Sequence, residues 1–409
     1  MSQSNGSGTT SVNQNKTGHG FGYYLLQCIR ILVGVLFIFS GLIKANDPSG
    51  LAYKMEEFFD LWHMNGLAPY ALAFSIAMIV FEIIAGVALL LGYAFRQVSF
   101  LLLLLMIFFT FLTGYAIWYE HANHRELKCG CFGDCIPLTA MQSFTKDIIL
   151  LILVIILVLG RKHIPSLFRR SVNTSLMILA LFFSIFIQWY ALEHLPYVDC
   201  LPYKVGNNIW QKMQAPPGSV PDQVEYTYTL KNLKTGATRE MGMEEYANSN
   251  IWQDSLTWKI EGEPKEKLVK KGNNTPEIKE FNVSDYDGND YTETLLKEPG
   301  YNFIFFVKDV NKASKRNLDK LRQLFAKCEK SNVGFYLLSA NSKEETEKFV
   351  KDNKLNIYYF AIDGTVCKTA MRSNPGLMLI KGGTVLGKWS YNDYPSDFDF
   401  NGEKLQIRK

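Results

Sequence analysis

Five stretches of this 409-residue chain are apolar over lengths that a water-soluble domain cannot hide: residues 21–43, 68–93, 98–118, 144–160 and 172–192. A helix needs about 20 apolar residues to cross the hydrocarbon core of a bilayer. Inside lipid every backbone polar group must be satisfied within the segment, so each stretch is expected to be a helix. The fourth is the shortest and has room to borrow residues at either end. After Leu192 the chain turns rich in Lys, Glu, Asp and Asn, so a soluble part follows the bundle. With 48% hydrophobic and 20% charged residues, a disordered or fibrous chain is excluded. A net charge of +4 is too small to point to nucleic acid as a partner.

Basic residues set the expected orientation. Residues 161–170 between the fourth and fifth spans carry Arg161, Lys162, Arg169 and Arg170, and Arg96 falls in the turn between the second and third, on the same side. That places the N-terminus in the cytoplasm and the long C-terminal part outside, in the periplasm bounded by a bacterial inner membrane, where thiols can be oxidised. Residues 1–20 are mostly Ser, Gly, Asn, Gln and Thr, and are expected to be a flexible cytoplasmic tail, not a signal peptide. The first span lacks a small-residue cleavage site and is expected to be retained. Residues 44–67 and 119–143 then connect spans on the outer side. In the first of these, residues 53–62 have an amphipathic pattern suited to the membrane interface.

Ionisable groups inside spans are costly and therefore informative. Counted from the presumed cytoplasmic ends of two antiparallel spans, Arg30 and Glu82 fall at similar depth, and they are expected to pair. The pair would fix the register of spans one and two, or Glu82 would be a proton-handling carboxylate facing a quinone or cavity. Gly34, Ser40, Gly41, Ala85 and Gly86 supply the small residues for close helix contact. Cys28 is expected to be a small buried filler.

The chain has seven cysteines, too few for a disulfide-built scaffold, but three stand within seven residues of the outer loop: Cys129, Cys131 and Cys135. Gly130 and Gly133 let the backbone turn sharply between them. Lys128 and Arg125 would favour the thiolate, which is the nucleophile in exchange. Cys200 lies eight residues past the fifth span, on the same side. Three chemistries fit. Cys129 and Cys131 can be an exchanging pair, with Cys135 and Cys200 as a resolving or relay pair. The cysteines can instead form structural disulfides that clamp loop and post-membrane segment. Or His121 and His124 can join the cysteines in a metal site.

Phe39-Ser40-Gly41-Leu42-Ile43-Lys44 with Asp47-Pro48, Glu82 with Gly86, and the Cys-Gly-Cys-Phe-Gly run from Cys129 resemble the MauE/DoxX family of small membrane proteins over about residues 22–160. The resemblance implies a four-helix bundle reminiscent of quinone-linked disulfide-forming enzymes, with Cys129 and Cys131 as redox thiols. The MauE branch is associated with disulfide formation in methylamine dehydrogenase maturation, beside a thioredoxin-like partner. A fifth span and a fused tail depart from that minimal pattern.

The tail divides by pattern. Residues 193–274 read as a connecting module with a hairpin formed by residues 224–230 and 237–243. From 275 to 409 strands and helices alternate: a hairpin at 278–292, a buried strand at 302–307, helices at 315–330 and 343–353, strands at 333–338 and 357–361, and a final hairpin of 376–380 with 384–390. This order resembles thioredoxin-like domains of the TlpA type. Asp363 falls at an acidic helix start, and Asn374–Pro375 at the position of a cis-proline able to dock an extended substrate segment. Where a redox thioredoxin carries Cys-x-x-Cys, this chain has Lys308-Asp309-Val310-Asn311-Lys312-Ala313-Ser314. Cys328 and Cys367 are expected to be buried packing residues.

The expected architecture is thus a tail (1–20), a MauE/DoxX-like α-helical membrane bundle (21–160), a basic loop with a fifth transmembrane helix (161–192), the connecting module (193–274) and an α/β thioredoxin-like periplasmic domain (275–409). The leading expectation is a thiol–disulfide redox protein that passes electrons from periplasmic thiols to quinone, with the tail docking a periplasmic client protein and lipid surrounding the bundle. A non-catalytic envelope scaffold with structural disulfides is the alternative from another class, and metal handling a third.

Overall fold

The computed structural model describes residues 20–123, 127, 130, 132–270 and 272–408. The chain divides into two compact units, with the boundary between Asp199 and Cys200. The expected tail over residues 1–19, and Cys129, Cys131 and His124, lie outside the described residues.

The first unit is helical: α1 (Phe21–Asn46), α2 (Pro48–Leu61), α3 (Ala71–Leu91), α4 (Phe95–Asn123), α5 (Ala140–Gly160) and α6 (Arg170–Glu193). Among the described residues five helical stretches are long and apolar enough to cross a membrane. These are α1, α3 with the 3-10 turn before it, α4, α5 with the 3-10 turn after it, and α6. The expected spans agree with them, each lengthened at one end or both, although the second stops at Leu91, two residues short of the expected end. The protein is a membrane protein. Its outward surface is apolar, as Leu179 and Phe182 on α6 illustrate, because lipid is the solvent there.

The stops and starts are local chemistry. Asp47 accepts from the Gly50 amide, and Pro48 opens α2 at the first helical position, where its missing N–H costs nothing. Thr139 and Gln142 form a reciprocal capping box that starts α5. Gly92 ends α3 in the left-handed region (φ 64°), against Pro165 O, where a side chain has no room. The Leu167 amide donates to Leu91 O, tying the basic loop to this turn.

α1 and α3 pack closely because glycines face each other. A Cβ on Gly86 would stand 2.7 Å from Gly34 O, and one on Gly41 would stand 2.6 Å from Ile83 Cγ1. In lipid, where burial of apolar area drives little, such close packing is what holds helices together.

In the second unit, α7 (Ile209–Lys212) is followed by β1 (Gln223–Asn232), β2 (Thr238–Gly242), α8 (Met243–Asn248), β3 (Trp258–Ile260) and β4 (Lys265–Lys270). The expected hairpin is β1–β2, paired from Thr227↔Gly242 to Lys231↔Thr238, and β3 and β4 extend it to four strands along β1.

The thioredoxin-like part runs β5 (Val283–Ser284), α9 (Thr292–Lys297), β6 (Tyr301–Val307), α10 (Leu318–Lys330), β7 (Gly334–Ser339), α11 (Lys343–Asp352), β8 (Tyr358–Ile362), α12 (Gly364–Ala370), β9 (Gly376–Lys381) and β10 (Thr384–Ser390). The sheet order is β10-β9-β6-β7-β8-β5, parallel across β6, β7 and β8 and antiparallel elsewhere. β6 is central and buried on both faces, which explains its unbroken apolar run Phe303–Val307. Phe303 and Phe305 pack with Leu321, Leu324 and Cys328 of α10. The expected hairpin at 278–292 is corrected. Val283–Ser284 pairs with β8, and residues 285–290 only turn back through a single bridge, Ser284↔Asp290, before α9 begins. A closing pair, β11 (Asp397–Asn401) and β12 (Lys404–Arg408), was not expected.

Candidate functional site

Near the end of the bundle that carries the cysteine loop, α1, α3, α4 and α5 enclose a cavity of about 260 Å³. That is just below the ~300 Å³ lower end of ordinary small-molecule clefts. Its inner wall is apolar, with Leu36, Met106 and Leu153 among the lining residues. Its other end holds two ion pairs. Lys44 Nζ on α1 lies 2.5 Å from Glu82 Oε1 on α3, and Ser40 Oγ donates to Glu82 Oε2 at 3.2 Å. On α5, Lys146 Nζ lies 2.6 Å from Asp147 Oδ1, and Thr113 Oγ1 of α4 donates to Asp147 Oδ2 at 3.2 Å. Glu82 and Asp147 are almost wholly buried. Removing a carboxylate from water costs several kcal/mol unless a partner offsets it, and here each has an ammonium and a hydroxyl. The lysines also sit over aromatic rings: Lys44 is 5.3 Å from the centre of Phe109, and Lys146 is 5.2 Å from that of Phe132.

The cysteine loop borders this cavity. Gly130 and Phe132, the sequence neighbours of Cys129 and Cys131, both line it. Leu127, buried among Phe58, Ala116 and Ala140, anchors the loop at its start. Phe132 anchors it further on through its contact with Phe39, ring centres 6.2 Å apart. Gly130 and Gly133 both adopt left-handed backbone (φ 65° and 59°), as the sharp turn requires. Cys135 and Cys200 are each disulfide-bonded.

Two expectations within the bundle are corrected. Arg30 does not meet Glu82. It donates to Leu90 O (3.3 Å) and Pro165 O (3.5 Å), whereas Glu82 stands beside Gly41, eleven residues further along α1 and roughly 16 Å of rise away. Phe21 and Tyr93 are not level: Arg30, nine residues into α1, is what meets the end of α3. In the structure α3 stops at Leu91, and α1 runs on past that end by more than two turns. The role expected of Arg30 falls to Lys44, which lies within α1 because the helix continues past Ile43 to Asn46. Cys28 is exposed on the outer face of α1 and is not a buried filler.

Asp147 and Lys146 were missed altogether. The signal was present: a carboxylate as the fourth residue of the apolar stretch that begins at Phe144, which warranted the same question as Glu82. His121 is exposed at the end of α4, and among the described residues no cluster of metal-ligating side chains occurs.

In the thioredoxin-like domain the Asn374–Pro375 bond is cis, as expected. Asn374 also has an internal use that was not expected. Asn374 Oδ1 accepts from the Lys308 and Asp309 amides (3.0 and 3.3 Å), its Nδ2 donates to Asp309 O (2.8 Å), and its carbonyl accepts from the Ser314 amide (3.0 Å). Pro375 is buried. Asn374 thus clamps the loop that stands where a redox motif would be. Burial pushes the Cys328 and Cys367 thiols up to about 12, which keeps both protonated and unreactive.

Residues 23–160 match the family described as methylamine utilisation protein MauE, so the chain carries a MauE-family domain. Protein TlpB of Flavobacterium psychrophilum is 31% identical over 139 residues, 33% of this chain and 36% of TlpB. The chain therefore spans about a third of the length of the curated relative it matches. Two solved structures are similar at low identity. One is the thioredoxin domain of a thiol-disulfide oxidoreductase from Bacteroides vulgatus (16% identity, 26% of this chain and 81% of that one, TM-score 0.22). The other is a candidate protein disulfide isomerase from Bacteroides thetaiotaomicron (15%, 28% and 77%, TM-score 0.23).

Proposed function

We propose that this chain, which joins a MauE-family membrane domain to a thioredoxin-like domain, is a membrane thiol–disulfide oxidoreductase. Cys129 and Cys131 are its exchanging pair, Cys135 and Cys200 resolve or relay, and the electrons leave through the bundle to a membrane quinone. In this reading the N-terminus is cytoplasmic and the cysteines and C-terminal domain face the periplasm of a bacterial inner membrane, as the basic residues of the 161–170 loop favour. The thioredoxin-like domain, with Lys308–Ser314 in place of a redox motif, serves as a protein-binding platform for the client.

One observation carries the reading: Gly130 and Phe132, on either side of Cys131, line a cavity that holds buried charged groups. A cysteine-bearing loop with Gly130 and Phe132 at such a cavity is suited to moving electrons and protons between water and membrane. Replacing Cys129 and Cys131 by Ser in the full-length protein, and trapping mixed disulfides in cells, tests it. Loss of trapped client and of client oxidation is expected. Unchanged client oxidation would refute catalysis by this pair.

The bonded state of Cys135 and Cys200 favours a second reading, a scaffold whose cysteines are structural clamps. It predicts that Cys→Ser changes lower stability but leave partner capture intact.

A further inference from the structure

Asp147 has a capacity that its surroundings leave unused. It is fully buried, and Oδ1, although 2.6 Å from Lys146 Nζ, has no hydrogen-bond partner with acceptable geometry. It faces the same cavity as the Lys44–Glu82 pair. A buried carboxylate oxygen left without a hydrogen bond costs free energy that a donor from a bound molecule would recover.

The cavity also has a way in. Leu32 on α1 and Ile149 on α5 line it, yet each is about half exposed on the outside of the bundle (50% and 54%), where lipid tails would lie. A ligand can therefore enter sideways from the bilayer, keeping an apolar tail in the opening and a polar head between the two ion pairs.

We propose that this cavity is a lateral-entry site for a lipid-soluble quinone, its ring held between Lys44–Glu82 and Lys146–Asp147. The chemistry of the two pairs selects this class. A phospholipid head would bring phosphate against two buried carboxylates, and an alkyl chain alone would leave Asp147 Oδ1 without a hydrogen bond. A quinone carries two carbonyl acceptors when oxidised and two hydroxyl donors when reduced. Lysine ammoniums serve the first state and carboxylates the second, so both states find partners without any rearrangement of the helices.

The inference deepens the redox reading and rests on it only for the source of electrons. Joining the thiols of Cys129 and Cys131 breaks two S–H bonds, forms one S–S bond and releases two electrons and two protons. The quinone ring takes up both, its two carbonyls becoming hydroxyls.

The test is photolabelling of the full-length protein in lipid nanodiscs with a short-tailed azidoquinone, followed by peptide mapping. Label is expected on the cavity-lining parts of α1, α4 or α5, displaced by excess unlabelled quinone and reduced at least five-fold in Asp147→Asn and in Leu153→Trp. It should persist in the Cys129→Ser/Cys131→Ser variant, so that failure of the thiol chemistry is read separately from failure of the site. Label spread over lipid-facing surfaces of the unaltered protein without displacement overturns the site. So does cavity labelling undiminished in both substituted proteins.

Discussion

Lys44 Nζ meets Glu82 Oε1 at 2.5 Å in the interior of the bundle, joining the last turn of α1 to the middle of α3. Removing one member leaves an uncompensated charge, at a cost of about 3–5 kcal/mol, whereas removing both is far milder. Lys44→Met and Glu82→Met should each lower the unfolding temperature in detergent sharply, and the double variant should recover much of the loss. Arg30→Met should show coupling to Glu82→Met within about 0.5 kcal/mol, because the two do not touch. Strong coupling there would restore the pairing that the structure denies.

Close contact of α1 with α3 depends on Gly86, where an added Cβ would press on Gly34 O at 2.7 Å and on the Ile38 amide nitrogen at 2.9 Å. Both are backbone and have little room to move. Gly86→Ala should destabilise the bundle by about 1–3 kcal/mol. Gly66→Ala, with nothing within 4 Å, should leave it unchanged. Thermal unfolding of the two variants side by side checks this.

Cys328 and Cys367 should resist alkylation in the folded protein at pH 8 and react fully once it is denatured, read by mass spectrometry. Their pH linkage has a definite sign. The thiols are raised from 9.0 to about 12, so the unfolded chain loses their protons first. Their contribution is whole below about pH 9 and is lost as pH rises toward 12. Stability of the soluble region should therefore decline across that window, and less steeply in Cys367→Ala.

Asn374 holds the Lys308–Ser314 loop through three side-chain hydrogen bonds, which Asn374→Ala removes. The Lys308 and Asp309 amides should then exchange hydrogen at least tenfold faster, while β6 amides keep their protection. Unaltered exchange in the loop would mean that Asn374 does not clamp it.

Much of the fold was legible because lipid and water impose different patterns. Long apolar runs could only be spans, and the buried run Phe303–Val307 could only be a central strand. Short elements were lost where pairing depends on distant partners: Val283–Ser284 finds β8 far along the chain, and neither its own sequence nor its neighbours announce this. The site was legible in part. Glu82 was noticed, but its partner is set by how far the helices overhang each other, and α1 begins more than two turns before the level at which α3 ends. Asp147 went unnoticed beside Lys146 because a charged pair near a span boundary looks like a boundary. The internal use of Asn374 follows from loop geometry that no spacing encodes.

The proposed function requires Cys129 and Cys131 to change disulfide partners. Differential alkylation with mass spectrometry of the full-length protein, equilibrated at graded thiol–disulfide poise, measures this most directly. Cys129 and Cys131 should pass between reduced and bonded forms within the range a physiological thiol pool spans. The proposed function is contradicted if every cysteine of the loop keeps one fixed state, bonded or free, across that whole range.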